Sequence, residues 1–207
     1  MLKSFPIIAL SFILFSCGKS QSSQNFRPYL IGSCEGCEAI FEYGDKILNY
    51  IDTLPDYRKD GEKIIFRGRV FQHDGLSPAP GVILYIYHTN QDGIYEARAG
   101  AQGWELRHGW IRGWTKTDSL GQYEFHSLKP GTYPDNSEPA HIHLTILQAD
   151  GGYYWLDGLY FQGDPLLKDV ELHPTNPRGG SVGVFRYADN LKTWLCERNI
   201  ILEKNIK

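Results

Sequence analysis

The chain lacks the features that mark several common functions. Its 207 residues carry 21 Lys and Arg against 24 Asp and Glu, a net charge of −3, and no long basic run. Nucleic acid is therefore a poor partner for it. Beyond the first residues, no apolar stretch is long enough to span a bilayer. Internal repeats are absent. Cysteine is scarce, with four in all. Around Cys34 and Cys37, in "CEGC", no further thiols or histidines stand at metal-like spacing, so zinc is not indicated there.

The N-terminus is a different matter. "MLKSFPIIALSFILFSC" has a positive start at Lys3, an apolar run from Phe5 to Phe15 and small Ser16 before Cys17. It reads as an export signal, too short for a mature transmembrane helix. The ending "LFSC" resembles a bacterial lipoprotein signal, which implies cleavage after residue 16 and lipidation of Cys17. Several acyl chains on one residue would give stable anchoring. The expected location is then outside the cytoplasm, as a membrane-anchored lipoprotein of the outer membrane. Residues 17–27 are a polar Ser/Gln-rich tether, and residues 28–207 form one domain. In an oxidising compartment Cys34 and Cys37 could pair with each other, or one of them with Cys196.

Short β-type runs fill the domain: 63–71, 81–88, 110–117, 122–128, 140–147 and 153–161, with two more inside "GGSVGVFRY" and "TWLCERNIIL". They are rich in β-branched and aromatic residues and are separated by turns such as "NQDG", "DSLG" and "ADGG". This pattern predicts a mainly β fold, an antiparallel β-sandwich with long connecting loops. Segment 38–57 reads equally as a short helix or as extended chain.

Two stretches invite chemistry. "GGSVG" at 179–183 fits the G-x-S-x-G pattern of serine hydrolases, but that motif needs a strand before the serine, a helix after it and a later histidine. A Pro-rich loop precedes Ser181, a strand-like run follows, and the last histidine is His173. "EPAHIHLT" is more telling. On a strand, His141 and His143 leave the same face while Ile142 and Leu144 leave the other. By itself H-x-H is a weak metal signal. Here Tyr133 lies eight residues upstream after a Pro-Gly turn, and Tyr95 follows an Asp-Gly turn at the end of an earlier strand.

In that order, "GRVFQHDGLSPAPGVILYIYHTNQDGIY", "RGWTKTDSLGQYEFHSLKPGTYP", "PAHIH" and "LYFQGDPLL" resemble the intradiol ring-cleavage dioxygenases, over most of residues 62–170. The resemblance implies Fe(III) bound by Tyr95, Tyr133, His141 and His143, and cleavage of a catechol-type aromatic by O2 to a muconate-type diacid. Tyr133 corresponds to the ligand displaced by substrate, which takes up a substrate proton. The set is coherent: Fe(III) is a hard, highly charged ion that suits phenolate and imidazole donors, and its charge favours phenolate over phenol.

Three departures stand out. Glu138 occupies the position where the family commonly has an arginine, and a carboxylate facing a dianionic substrate is repelled. Arg98, Arg107 and Arg112 follow Tyr95, with Arg107 and Arg112 the candidates to supply the missing charge. The stretch between Tyr133 and His141 is shortened, and Gly158 stands where many relatives carry glutamine. The first expectation is therefore an exported, iron-dependent intradiol dioxygenase. The second is a non-catalytic lipoprotein binding a phenolic ligand or a catecholate-iron chelate on the same fold. A third, a metal-free transthyretin-like sandwich, requires all four matching residues to be accidental.

Overall fold

The computed structural model describes residues 27–207; the expected signal segment and Cys17 lie outside the described residues. The strands are β1 (Tyr29–Leu30), β2 (Ile51–Thr53), β3 (Lys63–Phe71), β4 (Ile83–Tyr87), β5 (Arg112–Lys116), β6 (Gln122–Leu128), β7 (His141–Leu147), β8 (Gly152–Phe161), β9 (Gly183–Ala188), β10 (Thr193–Glu197) and β11 (Ile200–Ile201). Two one-turn helices, α1 (Glu105–His108) and α2 (Asp169–Leu172), sit in the long connections. The ambiguous segment resolves into a 3₁₀ turn, Cys37–Phe41, followed by β2.

The strand order is β2-β6-β3-β10-β9-β8-β7-β4-β5, with β1 on β8 and β11 on β3. Long pairs such as β3–β6, β4–β7 and β7–β8 are antiparallel. The joins β8–β9 and β3–β10 are parallel, which requires long connections rather than hairpins. The two ends of the path approach each other, since the Trp114 amide on β5 donates to Asp52 Oδ2 on β2 at 2.8 Å. The result is a nearly closed, mainly β sandwich.

Alternation along β4 and β7 decides where the core lies and where the site opens. Leu84 and Ile86 on β4, with Ile142, Leu144 and Ile146 on β7, point into the main core with Phe66, Phe125, Leu156 and Phe185. Full burial of each such side chain is worth roughly 1.5–3 kcal/mol. The opposite face carries Ile83, Tyr85 and Leu147, covered by Ala39 and Ile40 of the 3₁₀ turn and by Trp114. Along that face toward the other end of the two strands, Tyr87 pairs with His143.

Candidate metal centre

Tyr87–His143 marks the end of the β4–β7 ladder, where two loops arrive together. The first leaves β4 and turns at Asn90, whose side-chain oxygen accepts from the Asp92 and Ile94 amides at 3.0 Å each. The second leaves β6 through Pro130 and Gly131. They are stitched by the Gly131 amide donating to the Asn90 carbonyl at 2.9 Å and by Thr89 Oγ1 donating to the Gly131 carbonyl at 2.9 Å. Gly93 has φ +77°, and any Cβ there would overlap the Thr132 carbonyl oxygen. The close approach thus depends on glycine, and it sets Tyr95 beside Tyr133.

The four residues singled out in the sequence converge. Tyr95 Oη lies 3.0 Å from Tyr133 Oη, Tyr133 Oη 3.4 Å from His141 Nε2, His141 Nε2 3.0 Å from His143 Nε2, and His143 Nε2 2.9 Å from Tyr95 Oη. The ring of atoms is closed. His141 Nδ1 lies 2.8 Å from the Pro139 carbonyl oxygen; a carbonyl only accepts, so Nδ1 carries a proton and Nε2 is the ring nitrogen turned toward the cluster. Two phenol oxygens and two imidazole nitrogens about 3 Å apart in sequence fit a small cation at about 2 Å from each, with the hard-donor character that ferric iron takes. Without a cation the same atoms exchange hydrogen bonds.

Burial opposes charge on Tyr95, Tyr133 and His143 in the bare protein. It raises the Tyr95 phenol well above its ordinary range, helped by the adjoining Tyr133 hydroxyl, and it raises Tyr133 as well. The His143 imidazole is pushed down to about 3 by burial and by the neighbouring His141. A bound trivalent ion reverses this for the phenols, because its charge favours phenolate directly. Among the described residues, no three His, Cys, Asp or Glu gather to hold a metal; only with tyrosine oxygens does the histidine pair become a four-donor set.

A cavity of about 230 Å³ opens on this cluster, bounded by Tyr95, Tyr133 and His143, and by Glu35, Tyr87, Trp104, Arg107 and His108. Of the arginines considered from sequence, Arg107 is at this cavity, where it pairs with Glu35 at 2.5 Å. Arg112 is held elsewhere, by Glu42 at 2.6 Å and Glu105 at 3.6 Å, beside a different hollow with Arg98 and Trp110. Arg98 pairs with Glu105 at 2.6 Å. Glu138 does not turn away: its Oε2 stands 3.7 Å from His141 Nε2. At the position where many relatives carry glutamine, Gly158 has the Tyr160 ring 3.2 Å from where a Cβ would stand.

Several neighbours were not singled out from sequence. Tyr87 is sandwiched between the His143 ring, at 4.4 Å and 10°, and the His108 ring, at 3.7 Å and 3°. His108 Nδ1 in turn meets Tyr85 Oη at 2.9 Å. The Tyr85–Tyr87 alternation on a strand was the available signal, but only strand pairing shows that it faces the histidines. Cys34 and Cys37 form a disulfide, while Cys196 is free and buried. The disulfide loop carries Glu35 and Gly36, and a Cβ on Gly36 would come within 2.8 Å of His108 Nε2. Ser181 precedes β9 rather than a helix, and its hydroxyl donates to the Asn199 carbonyl.

Residues 45–178, more than half of the chain, match the family model described as Dioxygenase. The protocatechuate 3,4-dioxygenase beta chain of Burkholderia cepacia is 31% identical over 113 residues, covering 52% of this chain and 48% of that protein. Chlorocatechol 1,2-dioxygenase of Rhodococcus opacus is 31% identical over 134 residues, covering 56% and 50%. The chain spans about half the length of these curated relatives. Among solved structures, catechol 1,2-dioxygenase from Acinetobacter sp. ADP1, inhibited by bound mercury, superposes with a TM-score of 0.55 at 21% identity, over 85% of this chain and 60% of that one. The intradiol ring-cleavage dioxygenase from Tetranychus urticae gives 0.53 at 15% identity, over 79% and 90%. At those identities the two structures speak to the fold alone. By its matching family model and its relatives, the chain belongs to the intradiol ring-cleaving dioxygenase family.

Proposed function

We propose that this protein is an Fe(III)-dependent intradiol dioxygenase that opens the ring of a catechol-type aromatic between its two hydroxyl-bearing carbons, giving a muconate-type diacid. The observation that carries the reading is the closed ring of Tyr95, Tyr133, His141 and His143 donor atoms at the mouth of a cavity. Ferric iron held there supplies the Lewis acidity that makes a catecholate reactive toward dioxygen. Both atoms of O2 enter the product, so the reaction balances without an added reductant.

The chain's own residues have separable tasks. Tyr95 and His143 lie deeper, braced by the Tyr87 ring, and hold their positions. Tyr133 is less deeply buried, at the cavity, where its Oη is placed to take a proton from an entering catechol hydroxyl. Arg107 brings positive charge to the wall, partly offset by Glu35. The cavity that would receive a flat aromatic diol is lined by Tyr87, His108 and Tyr133.

One observation favours the alternative, a non-catalytic protein binding phenolic ligands or catecholate-iron chelates: the Glu138 carboxylate stands at the cluster, where it repels a catecholate dianion. Oxygen uptake by the iron-loaded protein with a panel of catechols separates the two. Uptake with a muconate-type product, lost in Tyr133→Phe, supports the dioxygenase; a red-brown protein that binds catechols without consuming oxygen supports the binding protein. Export and lipidation at Cys17 belong to the same proposal and are tested by mass spectrometry of the N-terminal peptide from the membrane fraction.

A further inference from the structure

We propose that Glu138 is a metal ligand of this site, a fifth protein donor that completes the shell of the four-residue cluster in the resting protein. The inference rests on the iron reading above and concerns a residue outside the four-donor set.

Three observations point to it. Glu138 Oε2 lies 3.7 Å from His141 Nε2, the atom that also lies 3.0 Å from His143 Nε2 and 3.4 Å from Tyr133 Oη. The carboxylate therefore stands beside the cluster, although as placed it and the two histidines do not gather at metal-binding spacing, so ligation requires the side chain to swing inward. Second, no Lys or Arg among the described residues pairs with Glu138, and its carboxylate makes no hydrogen bond to them, although Arg98, Arg107 and Arg112 each hold a glutamate of their own. Third, the His141 proton is fixed on Nδ1 by the Pro139 carbonyl. That leaves Nε2, the nitrogen facing Glu138, as the one able to ligate a metal. A cation at the cluster centre gives both atoms a reason to face the same point.

The charge count agrees. Two phenolates from Tyr95 and Tyr133 leave a trivalent ion with one positive charge, and one carboxylate cancels it. The side chain is also free to move: it is largely exposed, on the short connection between the Tyr133 loop and β7. It can close on the ion when the cavity is empty and withdraw when a diol needs the position. Carboxylate is a hard donor of the class that Fe(III) prefers.

The test uses the full exported chain, purified from membranes, stripped of metal and reloaded with Fe(III), as wild type, Glu138→Gln and Glu138→Ala. Circular dichroism verifies that the variants fold, as an exposed loop residue allows. The readouts are the phenolate-to-Fe(III) charge-transfer band and Fe(III) affinity against a competing chelator. Removing an anionic donor leaves the ion more electron-poor, so the band should move to longer wavelength in both variants, and affinity should fall at least about tenfold. Glu138→Asp, one methylene shorter, should fall between. If wild type shows the band and the variants match it in position and affinity, Glu138 is no ligand while the four-residue site stands. If wild type itself binds no Fe(III) and shows no band, the iron reading fails and this inference with it.

Discussion

Tyr87 lies flat against His143, ring centroids 4.4 Å apart and planes within 10°, with His108 stacked on its far side at 3.7 Å. The His143 ring is thus one member of a three-ring pile built on the β4–β7 register, in which Tyr87 pairs with His143. Aromatic pairs of this kind are worth about 0.5–1.5 kcal/mol beyond the area they bury.

Tyr87 should therefore act through His143. Tyr87→Phe keeps the stack and should leave the Fe(III) affinity of the proposed site unchanged. Tyr87→Ala removes it, frees the His143 ring, and should weaken Fe(III) binding by about tenfold or more. Chelator competition on the two variants checks this; equal affinities would show that the stack positions nothing.

Gly93 should be the least replaceable residue of the loop that carries Tyr95. Its left-handed φ and the Thr132 carbonyl against it leave no room for a side chain. Gly93→Ala should pull the Tyr95 loop away from the Tyr133 loop. The expected outcome is a protein whose charge-transfer band is lost or strongly reduced while its far-ultraviolet circular dichroism is kept.

The two arginines singled out from sequence should separate. Arg107 is exposed at the cavity, so Arg107→Ala should lower kcat/KM for catechols with little change in stability, since exposed ion pairs contribute about 0–1 kcal/mol. Arg112 is mostly buried between Glu42 and Glu105. Arg112→Ala leaves Glu42 without its ion-pair partner, while Glu105 keeps Arg98, and should cost roughly 1.5–3 kcal/mol of stability. Urea denaturation alongside steady-state kinetics distinguishes the two; a stable Arg112→Ala protein with lost turnover would instead give Arg112 the catalytic task.

Acid should destabilise the metal-free protein between about pH 6.5 and pH 4. His88 is fully enclosed, between the Thr89 carbonyl at 2.7 Å and Ser127 Oγ at 2.8 Å, and burial lowers its imidazole to about 4. The unfolded chain takes up a proton near pH 6.5 that the folded chain refuses until about 4, so stability is full above that window and falls as pH drops through it. The loss from this one group is on the order of 3 kcal/mol. His108, held down to about 4 by burial, adds in the same direction. His88→Gln should flatten the pH dependence of the urea midpoint.

Much of the fold was legible because strand chemistry is local. The predicted runs 63–71 and 122–128 are β3 and β6 as observed, and 140–147 and 153–161 differ from β7 and β8 by one residue at one end. Segment 38–57 was not legible, because a 3₁₀ turn and a three-residue strand carry too little periodicity to show. The parallel joins β8–β9 and β3–β10 were invisible for another reason: pairing partners far apart in sequence leave no local mark.

By itself the sequence determined which side chains were available for chemistry: two tyrosines after turns, a histidine pair on one strand face, and a carboxylate three residues before it. Period-two alternation alone makes His141 and His143 neighbours. Only the tertiary structure decided where each was placed. It closed the four donor atoms into a ring, gave Arg107 to the cavity and Arg112 to a buried ion-pair network, and paired Cys34 with Cys37. It also set the largely exposed Glu138 carboxylate beside His141. Those outcomes depend on distances set by the packing of β4 against β7 and of one glycine-bearing loop against another, relations between segments that no short stretch of chain encodes.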